Sequence, residues 1–354
     1  MLRKISLMLV LALGSAVAAM GASLDKGELK LVKAFLQSPA LDAPTNAKAL
    51  EITNLNDPAS WHGVTVEGGH ITAIDWKDKR LAGSLNLNGF KALRKVDLSH
   101  NKLSALNVAA CPELADLNAS RNVLTDFSIS GCPALTSLNI SRNRLVNLDM
   151  SGTNALQTLN CGGNYFVALD VANSPSLKTL NCQSCQLEQL NVTGCAKLQN
   201  LYCGYNRLTD LLLTGVTDLR NLNIDSNDIR GMVISNLPAL SSLMCSDNRM
   251  TTLGLRGCNA LIDVVCSFND LTELSVENCP NIQYVDCQYN DLTSLDLSNQ
   301  TFLQRLICNN NQLQTLDVSF DSSLTYINCR FNSITDLRTL GCTNLVQIAG
   351  EWNY

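Results

Sequence analysis

From Leu93 onward the pattern L-x-x-L-x-L-x-x-N-x-L returns every 21 residues, and its asparagines stand at Asn101, Asn122, Asn143, Asn164, Asn206, Asn227, Asn248, Asn269, Asn290, Asn311 and Asn332. Only Cys185 interrupts the series. One more step lands on Asn353, and an irregular first copy runs through Ile71, Ile74, Trp76 and Leu81. A chain of 354 residues would ordinarily suggest two or three globular domains, but a fixed short period overrides that count. A unit of this size cannot bury its apolar face alone, so each must be one coil of a stack. About fourteen coils are expected over 71–354.

Within a coil, Val96 and Leu98 alternate with outward Lys95 and Asp97, which is strand periodicity. Stacked strands at about 4.8 Å per step then form a parallel sheet roughly 60 Å long. A second arc with the same spacing follows, as in Leu103, Leu106 and Val108, in Leu145, Leu148 and Met150, and in Leu292, Leu295 and Leu297. Two nested arcs leave no room for a helix, so the far side is expected to be extended or a short strand. The fold class is therefore an all-β-dominated right-handed solenoid with few helices. The recurring asparagine is expected to bond backbone groups that the inward turn would otherwise strand.

Three divisions are expected: a signal peptide over 1–22, a helical cap over 23–70 and the solenoid over 71–354. Arg3 and Lys4 precede an apolar run from Ile5 to Ala19, the form of a secretory signal with cleavage near Ala19 to Ala22. The run is shorter than the roughly 20 residues a bilayer core requires, and no later stretch is apolar for long enough. The expected location is outside a bacterial cytoplasm: secreted, periplasmic or at the cell surface, with no transmembrane segment once the signal is removed. In the cap, Asp25 and Glu28 give a D-x-x-E start resembling a capping box, and Leu29, Val32, Phe35 and Leu36 form one stripe. That helix should end at Ser38. A second short helix is expected within 45–52, and Trp61 should help seal the first coil. The last coil carries no comparable cap.

The fifteen cysteines obey the repeat. Cys161, Cys182, Cys203, Cys245, Cys266, Cys287, Cys308 and Cys329 stand three before the asparagine slot, where Leu98, Ala119, Ile140 and Ile224 mark an inward position. Cys111, Cys132, Cys195, Cys258, Cys279 and Cys342 share the corner of the second arc. Cysteine-rich secreted chains usually carry disulfides, but a small buried residue stacked in register packs a narrow coil without bonds. Reduced thiols are expected. The C-x-x-C of Cys182 and Cys185 lacks both a redox helix and a second ligand pair, so no metal is assigned there.

The net charge of −5 offers no basic excess for nucleic acid. His62, His70 and His100 are the only histidines, and no nucleophile, base and orienting acid assemble at a repeat spacing. Asp149, Asp170, Asp296 and Asp317 share a slot with Asn107, Ser128 and Arg338, which reads as a solvated edge. The chain is expected to be no enzyme, with no catalytic residue, metal or cofactor.

Binding is expected on the exposed sheet face. Its early coils are bland, with Asp97, Asn118, Asn139, Asn160 and Asn181. Its later ones carry Tyr202, Tyr205, Phe268, Tyr284, Tyr289, Arg305, Tyr326, Arg330, Phe331 and Trp352, beside Met244, Val265 and Ile307. Aromatic and arginine side chains dominate binding hot spots, and stacked rings suit protein or sugar alike. The expected function is a secreted or cell-surface protein-binding module in adhesion or partner contact. The alternatives are carbohydrate binding and a passive envelope component.

These residues resemble the internalin-type leucine-rich repeats, in particular the cysteine-bearing 21-residue repeats of internalin J and of similar secreted proteins of Bacteroidetes. The phrases Leu306-Ile-Cys-Asn-Asn-Asn-Gln-Leu and Leu243-Met-Cys-Ser-Asp-Asn-Arg-Met250 carry the likeness. So does the entry through Trp61 to Val66, Ile71 to Trp76 and Leu81 to Leu85. The resemblance implies a cysteine-laddered solenoid and a role in surface contact. The immunoglobulin-like modules and wall-sorting signal of internalins are not found before Tyr354, so covalent wall attachment is not expected to carry over.

Overall fold

In the computed structural model, residues 24–353 are described apart from 173, 298 and 299. The apolar run expected to be a signal peptide lies outside the described residues. The remainder is a β-solenoid. Its main sheet has 15 strands, of which β1 (Val64–Glu67) and β2 (His70–Asp75) form an antiparallel hairpin. From β2 onward every neighbour is parallel, ending at Gln347–Ala349. About 13 turns separate those parallel strands, as the spacing predicts.

Register follows the repeat without slippage: Leu180 pairs with Leu159 and Leu201, and Leu243 with Leu222 and Val264. Each of these side chains is buried. A one-residue slip would turn that whole row to solvent, which is why the register is fixed. Each buried leucine contributes about 2 kcal/mol. The second arc supplies short parallel strands on the far side, in four small sheets such as Gly231–Ser235 with Thr252–Arg256 and Glu273–Glu277. No helix interrupts the coils among the described residues.

The asparagine slot explains the stacking. Asn122 Nδ2 donates to Leu98 O of the previous coil at 3.0 Å and to Ala119 O of its own at 3.1 Å. Its Oδ1 accepts from Leu103 N at 2.9 Å. The same set recurs at Asn143, Asn227, Asn269, Asn290, Asn311 and Asn332. In the odd position, Cys185 Sγ donates to Cys161 O at 3.3 Å, keeping the reach to the previous coil. A thiol offers no carboxamide oxygen in return.

All fifteen cysteines are free thiols, and only Cys342 is not fully buried. Burial pushes the core-ladder thiols up, Cys203 and Cys287 to about 12, so they stay protonated and unreactive at neutral pH. At the corner, Cys111, Cys132, Cys195 and Cys342 each donate to the carbonyl 24 residues earlier, at 3.2, 3.2, 3.2 and 2.9 Å. Asp321 occupies that donor slot with 1% exposure, and neither carboxylate oxygen has a partner among the described residues. Burial pushes its carboxyl up to about 6, and Asp317 adds to the shift.

The cap is built as the stripe predicts. α1 spans Lys26–Gln37 and buries Val32, Phe35 and Leu36 against the first coil, with Leu29 half-buried. Phe35 stacks on Trp76 at 5.9 Å between ring centroids. Asp25 Oδ1 accepts from Gly27 N at 2.8 Å and Glu28 N at 3.1 Å. The expected capping box is only half formed. Asp25 N donates to Gly69 O, so Glu28 turns instead to the sheet, where it accepts from Ile71 N at 2.8 Å and meets His70 Nδ1 at 2.9 Å. A buried carboxylate is better served by the Ile71 N–H and the His70 ring than by an N–H already satisfied. α2 (Asn46–Ala49) begins at Thr45, and Trp61 is 2% exposed. Asn46, fully buried, joins α1 to the first coil through Phe35 O, Ala82 O and Ala82 N.

Candidate binding face

From Lys95–Asp97 onward each main strand is three residues long and points its first and third side chains outward. The chain then turns inward just before the asparagine slot. In every coil from His100 to Trp352 the residue at that turn is left-handed, with φ between 53° and 69°. Its N–H donates to the next coil, as Tyr289 N does to Asn309 O at 3.0 Å. A residue with a Cβ pays about 1 kcal/mol for this conformation, less for Asn or Asp.

Five aromatic residues stand in this unfavourable slot: Tyr205, Phe268, Tyr289, Phe331 and Trp352, all 46–62% exposed. Phe268 and Tyr289, on adjacent coils, stack at 4.5 Å and 10°. Phe331 and Trp352 stack at 5.9 Å and 1°. Asn310 holds the coil between the two pairs. Neither backbone preference nor core packing accounts for large rings there.

A second column runs along the first outward strand position. Tyr284, Arg305 and Tyr326 are direct cross-strand partners, and the Arg305 guanidinium lies 4.7 Å from the Tyr326 ring centre. Between the columns, Ile307 is 9% exposed and Asp286 is 7% exposed. Asp286 accepts from Tyr284 Oη at 3.3 Å and Gln288 Nε2 at 3.1 Å, and burial pushes its carboxyl up. Arg330 is committed to Glu351, whose carboxyl it holds down to about 2.

The structure thus brings together Phe268, Tyr284, Tyr289, Arg305, Tyr326, Arg330, Phe331 and Trp352 on consecutive coils. It does not bring Tyr202 and Tyr205 with them. Tyr202 pairs with Asn181 and Asn223, and the coils flanking Tyr205 carry Ser184 and Ser226 in its slot. Sequence reasoning passed over Asp286, whose slot holds an aspartate elsewhere only in the first coils, at Asp75 and Asp97. It also passed over Phe302 and Phe320, 53% and 69% exposed outside the main sheet. Among the described residues, no group of three or more His, Cys, Asp or Glu could hold a metal ion, and no helix is long and apolar enough to cross a membrane.

No family model and no curated protein matches the chain. Solved structures do. The functional domain of InlJ from Listeria monocytogenes, described as including a cysteine ladder, is 26% identical over 75% of this chain and 69% of that one, with a TM-score of 0.54. An internalin, inlF, from Listeria monocytogenes is 18% identical over 91% of this chain and 96% of that one, TM-score 0.61. YopM from Yersinia enterocolitica is 23% identical over 76% and 67%, TM-score 0.55. With its 21-residue turns, parallel sheet and ladder of buried thiols, the chain has the leucine-rich-repeat fold and the build of an internalin-like repeat protein.

Proposed function

We propose that the chain is a binding module of the bacterial exterior that takes a protein partner on the aromatic face of its carboxyl half. Similar leucine-rich-repeat chains have been solved in a protein complex, LRIM1/APL1C, and with RNA, as TLR13–ssRNA13. A net charge of −5 argues for the first kind of partner here. The observation that carries the reading is the pair of exposed ring stacks in a left-handed slot, Phe268 with Tyr289 and Phe331 with Trp352. Preorganised rings beside an arginine bury large area at small entropic cost when a partner arrives. Export rests on Arg3, Lys4 and the apolar run from Ile5 to Ala19.

The test uses the secreted full chain as bait against surface proteins of neighbouring bacterial and host cells. The comparison is a Tyr284→Ala, Tyr289→Ala, Tyr326→Ala triple variant, with Phe302→Ala, Phe320→Ala as the exposed control. The expected result is a defined set of captured proteins lost in the triple variant alone, at unchanged melting temperature. Equal capture by the triple variant overturns the reading. Capture of glycans in place of proteins moves it to the carbohydrate alternative.

A further inference from the structure

The same face carries a second site six coils nearer the amino terminus, with the opposite chemistry. A cleft of about 520 Å³ opens there, lined by Ser141, Arg142, Asn160, Gly162, Gly163, Asn181, Gln183 and Ser184. Two consecutive glycines create it. Gly163 fills the left-handed slot at φ 69°, and a Cβ there would come within 3.3 Å of Arg142 Cγ. The arginine stem therefore lies along the bare backbone of the next coil. A Cβ at Gly162 would meet Gln183 O at 3.0 Å. No apolar side chain lines the cleft.

Its walls donate and hardly accept. Asn139, Asn160 and Asn181 stand on successive coils in one outward register. Each spends its Oδ1 on its own turn, accepting from Ser141 N at 3.1 Å, Gly162 N at 3.3 Å and Gln183 N at 3.2 Å. Their Nδ2 groups make no bond among the described residues, leaving a row of amide donors about 4.8 Å apart. Beside that row stand Arg121 and Arg142, both exposed and in the left-handed slot of adjacent coils, and neither has an ion pair among the described residues. Exposed Arg144, close by, is a third arginine without an ion pair among the described residues. Most other arginines of the solenoid face an acid: Arg94 with Glu67, Arg249 with Asp228, Arg256 with Glu277, Arg330 with Glu351. Asp97 and Asp116 bound the patch on its amino side, and no carboxylate lines the cleft itself.

The geometry points to a binding site for an acidic polysaccharide, its carboxylate or sulfate oxygens on Arg121 and Arg142 and its hydroxyls on the Asn139, Asn160 and Asn181 amides. Two guanidinium groups and a row of amide donors outnumber the acceptors of the cleft, the Gln183 amide oxygen and the Ser184 hydroxyl, and so favour an acceptor-rich ligand. A protein partner would centre on buried apolar or aromatic anchors, and the cleft offers no pocket for one. A repeating chain suits a repeating row of donors.

The experiment is calorimetry on the full secreted chain with polygalacturonate and heparin, against neutral dextran and poly-glutamate. The expected result is saturable binding of polygalacturonate, heparin or both, weakening as salt rises, and none of dextran. The variant Arg121→Ala, Arg142→Ala should lose at least tenfold in affinity at unchanged melting temperature, and Arg121→Lys, Arg142→Lys should retain part of it. Carboxylate and sulfate recognition are told apart by which polymer binds. Absence of binding to both acidic polysaccharides, or binding indifferent to the double alanine variant, overturns the assignment. Poly-glutamate binding as tightly as polygalacturonate through the same arginines overturns it in favour of an acidic peptide. The Tyr284, Tyr289, Tyr326 alanine variant should bind the polysaccharide normally, which separates this site from the aromatic face.

Discussion

The side-chain amide of Asn248 donates to the carbonyl oxygen of Ile224, 24 residues earlier, at 3.0 Å. Its carboxamide oxygen accepts from Ile229 N at 3.1 Å. Its amide also donates to Cys245 O of its own coil at 3.2 Å, so one side chain satisfies backbone groups in two coils at once. Removing it leaves buried polar atoms unpaired on both. Asn248→Ala should lose about 1–3 kcal/mol of stability in urea unfolding, and Asn248→Asp should lose a comparable amount, since an ionised carboxylate cannot donate to Ile224.

Cys185 supplies the complementary case. Its thiol keeps the bond to Cys161 O but has nothing equivalent to Oδ1 for the preceding coil. Cys185→Asn restores the repeat and should stabilise by about 1 kcal/mol. Cys185→Ala should destabilise, and the two variants' urea midpoints should fall on opposite sides of the native value.

Asp321 should make stability depend on pH in an unusual direction. Its folded carboxyl titrates at about 6, above the ordinary 3.8, because burial disfavours the charge. A raised folded value means the protonated form is preferred in the native state. The associated stability is present below about pH 4 and is lost as pH rises through 6. Protonated, the carboxyl matches the donor slot in which Cys342 reaches Val318 O; the corresponding acceptor is Leu297 O. Asp321→Asn should therefore gain about 1–3 kcal/mol over the native chain at pH 7.5 and nothing at pH 4. Thermal melts at the two pH values measure the difference.

Thiol accessibility gives a count. All fifteen cysteines should react with Ellman's reagent in denaturant without reductant, whereas the native protein should release at most one rapid equivalent, from partly exposed Cys342. A lower total in denaturant would reveal disulfides.

What the residues disclosed in advance was whatever repeats. The 21-residue step placed Leu180, Leu201 and Leu222 in the core, Cys161 and its fellows inward, and Asn122 on backbone groups, because each slot is averaged over many copies. Singular events were less legible. Glu28 looked like a cap residue, and only the three-dimensional approach of Ile71 N redirects it. The left-handed turn before the asparagine was hidden because His100, Arg121, Ser226 and Phe331 share no side-chain chemistry, only a backbone angle. The aromatic face was half legible. Tyr284 and Tyr326 read as outward from alternation, whereas the stacking of Phe268 on Tyr289 and the isolation of Tyr205 depend on which slot each ring occupies across coils. The cleft at Gly162 and Gly163 was missed because it consists of missing side chains.

Strict register also makes distance along this molecule a whole number. Arg142 and Phe268 occupy the same slot six repeats apart, so the cationic cleft and the ring stacks lie about 29 Å from each other at 4.8 Å per step. Excising one complete period between them, such as residues 206–226, would bring the two patches one step closer while keeping both on the same face. Duplicating a period would part them by the same increment, so a ligand pair spanning both could be tuned like stops on a ruler.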